Sequence, residues 1–241
     1  MVDRKFGRLI PQTRIHETLY SASSLLGVSP IKKVETTLWV PSQLMPYYDQ
    51  GETNGCVGYS GSLVIAGQHN WPQKWPDPKW LYNISKLYDN DDRTTPEKDE
   101  GAYIWAAMYC LQHFGHQERD KDTPDPSLGI SSYHWAQTVD EVRSAIGHCP
   151  RGLPVVLGIG WYETFSYPEL VGKDYWIGRK ENLGKLLGGH AIYLNGATDR
   201  KEAFRLKNTW GDDYPPEVLL PYTTFERLMN EGAEACIITP R

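Results

Sequence analysis

The chain has no closely spaced pair of cysteines. Its four, Cys56, Cys110, Cys149 and Cys236, are scattered and form no CxxC motif. A structural zinc site draws on ligand pairs a few residues apart, so none is expected. His113 and His116 stand three apart, but no third ligand is near them, and neither a metal nor any other cofactor is expected. Scattered cysteines stay reduced in a reducing compartment, and Cys110, Cys149 and Cys236 read as small buried hydrophobes. No apolar run approaches the ~18 residues that a membrane span requires. No run of Lys or Arg stands out, and the net charge is −5, which excludes a nucleic-acid footprint. The residues from Met1 to Glu17 contain no apolar stretch of the kind a secretory signal uses, so the expected location is cytoplasmic. Internal repeats and low-complexity tracts are missing as well.

What is present is a globular composition, 40% hydrophobic and 23% charged, with 9 Trp, 15 Tyr, 22 Gly and 17 Pro. Aromatics beside many Gly and Pro imply a loop-rich α+β body. Residues 1–48 read as irregular, with a short extended piece at Thr37–Pro41. A turn-forming stretch from Asp49 to Gly55 follows. Residues 56–67 then read as a buried helix with Cys56 at its N-terminus, in which Gly58 and Gly61 permit close packing. Residues 70–99 read as loop, with a Trp-rich stretch at 71–80 that packs between lobes and a solvated acidic run at 89–92. Residues 101–114 form a second apolar helix ended by Gly115. Residues 116–137 read as a polar connection. Thr138 and Glu141 make a capping box, with Val139, Val142 and Ile146 on one face of the helix that follows.

From residue 153 the pattern turns to strands: 153–159, His190–Asn195, Ala203–Asn208, 217–220 and 234–239. The first half is thus helix-rich and the second strand-rich, with a helical part at about 45–150 and a β part at about 151–241 joined by some of the N-terminal segment. A crevice between two such parts is a natural binding site.

Pairing His190–Asn195 with Ala203–Asn208 about Asp199 puts residue i opposite 398 − i, because 190 + 208 = 398. His190 then faces Asn208, with Cβ atoms roughly 5 Å apart. The Asn oxygen can accept from the imidazole and fix its tautomer. A one-residue slip would undo this. Cys56 at a helix N-terminus sits where the helix dipole stabilises a thiolate, and a neighbouring imidazolium adds to that. Acyl transfer also requires donors aimed at a developing oxyanion. The Cys56 N–H is one candidate. The Gln50 side-chain amide, brought back by the Gly-rich turn, is the other.

With these residues in place the sequence resembles the papain-like cysteine peptidases. Gln50-Gly51 followed by Cys56, then Gly189-His190-Ala191, then Asn208-Thr209-Trp210-Gly211 match that family's motifs in order, most closely those of bacterial and viral members without disulfides. Val57 stands where the family has an aromatic residue. The resemblance implies a two-lobe α+β fold spanning 1–241, with a helical lobe, an antiparallel barrel-like lobe and the site between them. It implies endopeptidase activity on a peptide or protein substrate, with Cys56, His190, Asn208 and Gln50 catalytic. It further implies substrate contacts at Gly101 and Ala191, and Trp210 shielding the His–Asn bond from water. With only 55 residues ahead of Cys56, no long inhibitory prosegment is expected. Two other readings use the same residues: an acyl transferase in which an amine replaces water, and a silent peptide-binding module, which has no need of a nucleophile.

Overall fold

The computed structural model describes residues 4–11, 21–22, 34–37, 47–68, 75–89, 91, 94–147 and 152–241. Cys149, the stretch 38–41 and residues 71–74 of the Trp-rich stretch lie outside them.

Among the described residues, three helices carry the N-terminal half: α1 (Cys56–Gln68), α2 (Pro78–Tyr88) and α3 (Ile104–His113). Helix α1 is buried from Cys56 through Gly67. Its small residues allow this. A Cβ on Gly58 would lie 2.6 Å from Pro78 O and from Tyr82 N, so α2 crosses α1 at backbone distance. The buried hydroxyls of α1 are satisfied: Ser60 donates to Ala191 O at 2.9 Å and Ser62 to Gly58 O at 2.8 Å.

Helix α2 corrects the expectation of a loop. Asp77 caps it by accepting from Lys79 N at 3.0 Å, and Pro78 occupies the first turn, where its missing N–H costs nothing. The prolines that suggested a loop include one that starts a helix. The acidic run is also not simply solvated: Asp89 is buried and accepts from Asp91 N at 2.9 Å and from Thr94 Oγ1. After α3, Gly115 turns the chain at φ +79°, where a Cβ would meet Asp125 O.

A two-stranded ladder, β2 (His116–Gln117) with β3 (Pro124–Asp125), leads into the main sheet. That sheet contains β1 (Glu35–Thr37), β4 (Ile130–Ala136), β5 (Val155–Tyr162), β6 (Glu169–Val171), β7 (Asp174–Trp176), β8 (Leu186–Thr198), β9 (Ala203–Lys207), β10 (Val218–Pro221) and β11 (Glu234–Pro240). Its order is β4-β11-β5-β8-β9-β10-β7-β6, with β1 also on β8, and every pairing is antiparallel except β10 with β7. Strand β4 lies inside what reads in sequence as a polar connection. Helix α4 (Val139–Ile146) follows it, and Thr138 Oγ1 accepts from Glu141 N at 3.1 Å as a capping box requires. Helix α5 (Tyr222–Asn230) buries Phe225 and Leu228 three apart on one face.

Alternation along the strands divides the interior. Ala191, Tyr193, Val156 and Cys236 face α1 and α3, while Ile192, Leu194, Val155 and Leu157 face α4, α5 and the remaining aromatics. Both β4 and α4, ahead of residue 151, pack with this sheet. Two cores thus share one sheet, and β8 runs along the line where they meet.

Candidate active site

Cys56 opens α1. Gly55 O accepts from Tyr59 N at 3.1 Å, so Gly55 caps the helix and Cys56 is its first residue. The first N–H groups of a helix lack internal partners, and here they surround the sulfur and the position beside it. The Cys56 Sγ accepts from the Ala191 N–H at 3.4 Å. Since Ala191 O takes the Ser60 hydroxyl, both backbone groups of Ala191 are committed to α1. They hold β8 against the helix start.

His190 precedes Ala191, so its ring projects to the opposite face of β8. There Nε2 meets Asn208 Oδ1 at 2.8 Å. That oxygen also accepts from Thr209 N at 2.8 Å. A backbone N–H can only donate, which fixes the Asn atom as oxygen and requires Nε2 to carry the hydrogen. In the neutral ring Nδ1 is then the bare base, and it is buried with no hydrogen-bond partner. The ring lies among Trp161, Trp210 and Phe6 at centroid distances of 4.6, 5.3 and 6.0 Å.

The sequence-based register is corrected here. Strand β8 pairs Tyr193 with Lys207 and Leu194 with Leu206, then shifts so that Gly196 meets Arg205. The paired positions sum to 400 beside the site (193 + 207) and not to 398. The turn centres beyond Asp199, and an irregularity falls between Leu194 and Gly196. A displacement of two residues keeps every side chain on its face, so His190 and Asn208 still meet, as diagonal neighbours.

Gln50 reaches the same place by a second route. Tyr48–Gln50 runs along Thr209–Gly211: Gln50 N donates to Thr209 O at 2.9 Å and Gly211 N to Tyr48 O at 3.0 Å. The Gln50 side chain is buried. Its Oε1 accepts from Thr209 Oγ1 at 2.9 Å, and its amide nitrogen donates to Thr53 O at 2.9 Å and Lys5 O at 3.3 Å. Residues 50, 208 and 209 therefore form one hydrogen-bonded unit.

The N-terminal segment, expected to be irregular and not inhibitory, lies across the site. Arg8 N donates to Gly189 O at 2.9 Å, Ala102 N to Gly7 O at 2.8 Å and Leu9 N to Ala102 O at 3.0 Å. Both bridges are parallel. Phe6 covers the imidazole, and Arg4 pairs with Asp49 and Asp213. Gly101 has φ +108°, and a Cβ there would sit 2.1 Å from Gly7 O. The backbone groups that pair with the segment are those of Gly189 and Ala102, next to Gly101 and one residue short of His190. Sequence reasoning named Gly189 only within the histidine motif and did not single out Trp161 or this segment. Trp161 comes to the ring because Ile159 lies opposite His190 and Trp161 is two further along the same face. No local pattern signals that.

Covering the site changes its chemistry. Cys56 and His190 are fully buried. Burial pushes the thiol up to about 11, against the opposing effects of the Ala191, Gly7 and Val57 N–H groups and the Arg8 cation. Burial likewise pushes the imidazole down to about 4, with the Asn208 hydrogen bond opposing. The closed site holds a neutral thiol and a neutral imidazole, where the sequence suggested a thiolate. The group that the segment turns to the sulfur is the Gly7 N–H, a donor and not an electrophile.

His116 is also buried, its Nε2 2.8 Å from Ser62 Oγ, and burial pushes it down to about 4. Both histidines bind protons more weakly in the folded chain than in the unfolded one, where the reference is about 6.5. Stability should therefore fall as pH drops from about 6.5 toward 4, by about 2 kcal/mol per histidine at pH ~5. Urea midpoints at the two pH values check this, and equal midpoints would contradict it.

Among the described residues, no group of three His, Cys, Asp or Glu side chains could hold a metal, and no helix is long and apolar enough to cross a membrane. The Cys110 and Cys236 thiols are buried and unpaired with other cysteines.

The fold is shared with known structures. Xylellain, a cysteine protease from Xylella fastidiosa, superposes with a TM-score of 0.71 over 100% of this chain and 99% of that one, at 20% identity. The fold is papain-like. A procathepsin B from Trypanosoma congolense matches at TM-score 0.65 and 14% identity, covering 98% of this chain and 86% of its own. A digestive procathepsin L of Tenebrio molitor larval midgut matches at 0.63 and 14%, covering 88% and 71%. By sequence, the chain is 22% identical over 214 residues to an uncharacterized peptidase C1-like protein of Acanthamoeba polyphaga mimivirus. That match covers 78% of this chain and 66% of the viral protein, just under two thirds of its length. No family model matches the chain.

Proposed function

We propose that this chain is a papain-like cysteine endopeptidase, held latent by residues 4–9. The observation that carries the reading is the joint between α1 and β8. The Cys56 sulfur accepts from the N–H of the residue next to His190, whose ring is oriented by Asn208 and keeps one bare nitrogen. When the segment leaves, water and substrate reach both groups. Desolvation is the main cause of both pKa shifts, so its relief lowers the thiol and raises the imidazole, and the proton passes from Cys56 to His190. The thiolate then attacks a peptide carbonyl. The Gln50 amide and the Cys56 N–H stabilise the oxyanion, and His190 protonates the leaving amine. Water, deprotonated by His190, releases the acyl group. Trp161 and Trp210 keep the His190–Asn208 bond dry.

The test compares the full chain with an Arg8→Ala variant that loosens the segment, on a denatured protein substrate. New peptide termini should appear, blocked by alkylation that maps to Cys56. An added amine captured on the new C-termini in place of water would identify a transferase. Absence of new termini from both proteins, with equal slow alkylation of Cys56, Cys110 and Cys236, would leave a peptide-binding module.

A further inference from the structure

Helix α2 stands between the helix that carries Cys56 and the backbone that pairs with residues 7–9. It touches the first directly. A Cβ on Gly58, two residues past Cys56, would lie 2.6 Å from Tyr82 N and 2.7 Å from Tyr82 Cβ. The Tyr82 side chain reaches the second. Its hydroxyl accepts from Gly101 N at 3.1 Å and donates to Asp99 Oδ1 at 3.0 Å. One turn along α2, Lys86 Nζ lies over the Tyr82 ring, 4.0 Å from its centroid, and donates to Lys98 O at 2.8 Å and Pro96 O at 3.3 Å. Residues four apart share a helix face, so one face of α2 holds the chain from Pro96 to Gly101. Asp99 ties the same stretch to the approach to Cys56. Its Oδ1 accepts from Asn54 N at 2.8 Å, and its carbonyl accepts from the Asn54 side-chain amide. Its Oδ2 takes Lys5 at 3.2 Å on the surface. Tyr82 itself is buried, and burial pushes its hydroxyl above the usual phenol range, with the Gly101 N–H opposing. It therefore stays protonated and makes both bonds.

We infer that Tyr82 is a positioning residue: its hydroxyl fixes where the Gly101–Ala102 backbone stands relative to Cys56. This deepens the peptidase reading and rests on it. Ala102 N and O are the groups that bind Gly7 and Leu9 in the closed chain, and an extended peptide entering the cleft meets the same donor and acceptor. Among the described residues, Ala102 takes part only in an isolated bridge to Arg8 and belongs to no strand. No ladder therefore sets its height above the cleft, and side chains must do so. Removing the hydroxyl takes the partner from a buried Gly101 N–H and one donor from Asp99, so the stretch is free to shift away from α1. A backbone pair to the substrate is made alike before and during the chemical step. Its weakening therefore appears in KM and spares kcat.

Two measurements on Tyr82→Phe, which keeps the ring and removes only the hydroxyl, test the proposal. In the first, the exchange is made in the full chain carrying Arg8→Ala, and KM and kcat are measured on one peptide. KM should rise about three- to tenfold, with kcat held within about twofold. Asp99→Ala should raise KM in the same way, and Asp99→Asn, which keeps an accepting oxygen, should recover most of the loss. In the second, alkylation is followed in the full chain with Arg8 in place. The segment depends on the same Ala102 groups, so Tyr82→Phe should label Cys56 about threefold faster or more, while Cys110 and Cys236 label as before. This readout needs no turnover. An unchanged KM with an unchanged Cys56 rate, a fall in kcat alone, or all three thiols labelling faster together would overturn the proposal and leave Tyr82 a packing residue. If no variant cleaves the peptide while Cys56 alone labels faster, the peptidase reading fails and the hold of Tyr82 on Gly101–Ala102 stands.

Discussion

Replacing Cys56 by alanine should abolish cleavage of a denatured protein substrate, with a loss of about 10⁴-fold or more relative to the same chain with the cysteine. In the proposed mechanism the Cys56 thiolate forms the covalent bond to the acyl group, a step that needs a nucleophile at that position. The other two described cysteines sit elsewhere, buried and unpaired with other cysteines. Removing a nucleophile that works with a base as one unit costs nearly as much as removing the whole unit. Folding should barely change. Cys56 is the first residue of α1, where alanine is compatible with helix, and the exchange removes only one small buried atom with a weak hydrogen bond from Ala191. The expected shift in unfolding free energy is about 1 kcal/mol or less. A variant that retains more than a tenth of the activity would rule out Cys56 as nucleophile.

Arg8→Ala should act in the opposite sense and raise turnover of the full chain by about a hundredfold or more. The closed state is held by the Arg8–Glu234 pair, by three backbone hydrogen bonds at Gly7–Leu9 and by the Arg4 pairs with Asp49 and Asp213. Of the ion pairs, only Arg8 with Glu234 is almost fully buried, and breaking a buried pair from one side costs about 3–5 kcal/mol. That cost falls on the closed state, since Glu234 can be hydrated once the segment has left. A change of about 3 kcal/mol shifts a closed–open equilibrium by more than a hundredfold. Alkylation of Cys56 near pH ~6 should accelerate in parallel, because uncovering relieves the desolvation that pushes its thiol up. Arg4→Ala makes a useful contrast. One of its partners is about half exposed and the other more so, and such pairs are worth about 0–1 kcal/mol. Equal activity of wild type and Arg8→Ala would show that the segment does not restrain the site.

The helix that begins at Cys56 was legible because a Gly- and Asn-rich turn gives way abruptly to small and apolar residues. The meeting of His190 with Asn208 was legible because strand alternation survives a two-residue displacement; the register itself was not, since the bulge after Leu194 leaves no mark in the residue types. Helix α2 was misread as loop because the Asp77-Pro78 start of a helix looks in isolation like a turn. Strand β4 was missed because its exposed positions carry Ser and His, and its partner β11 lies about a hundred residues later.

By itself, then, the sequence determined where the candidate side chains stand: a cysteine at a helix start, a histidine and an asparagine of matching parity that meet, and a glutamine a short turn before the cysteine. These are local matters, decided by periodicity and spacing. Only the tertiary structure decided what state they are in. Residues 4–9 join the cleft through backbone hydrogen bonds that any sequence with the right glycines can make, and Arg8 finds Glu234 across 226 residues of chain. Burial, to which that segment contributes through Phe6 over the imidazole, pushes the thiol up and the imidazole down.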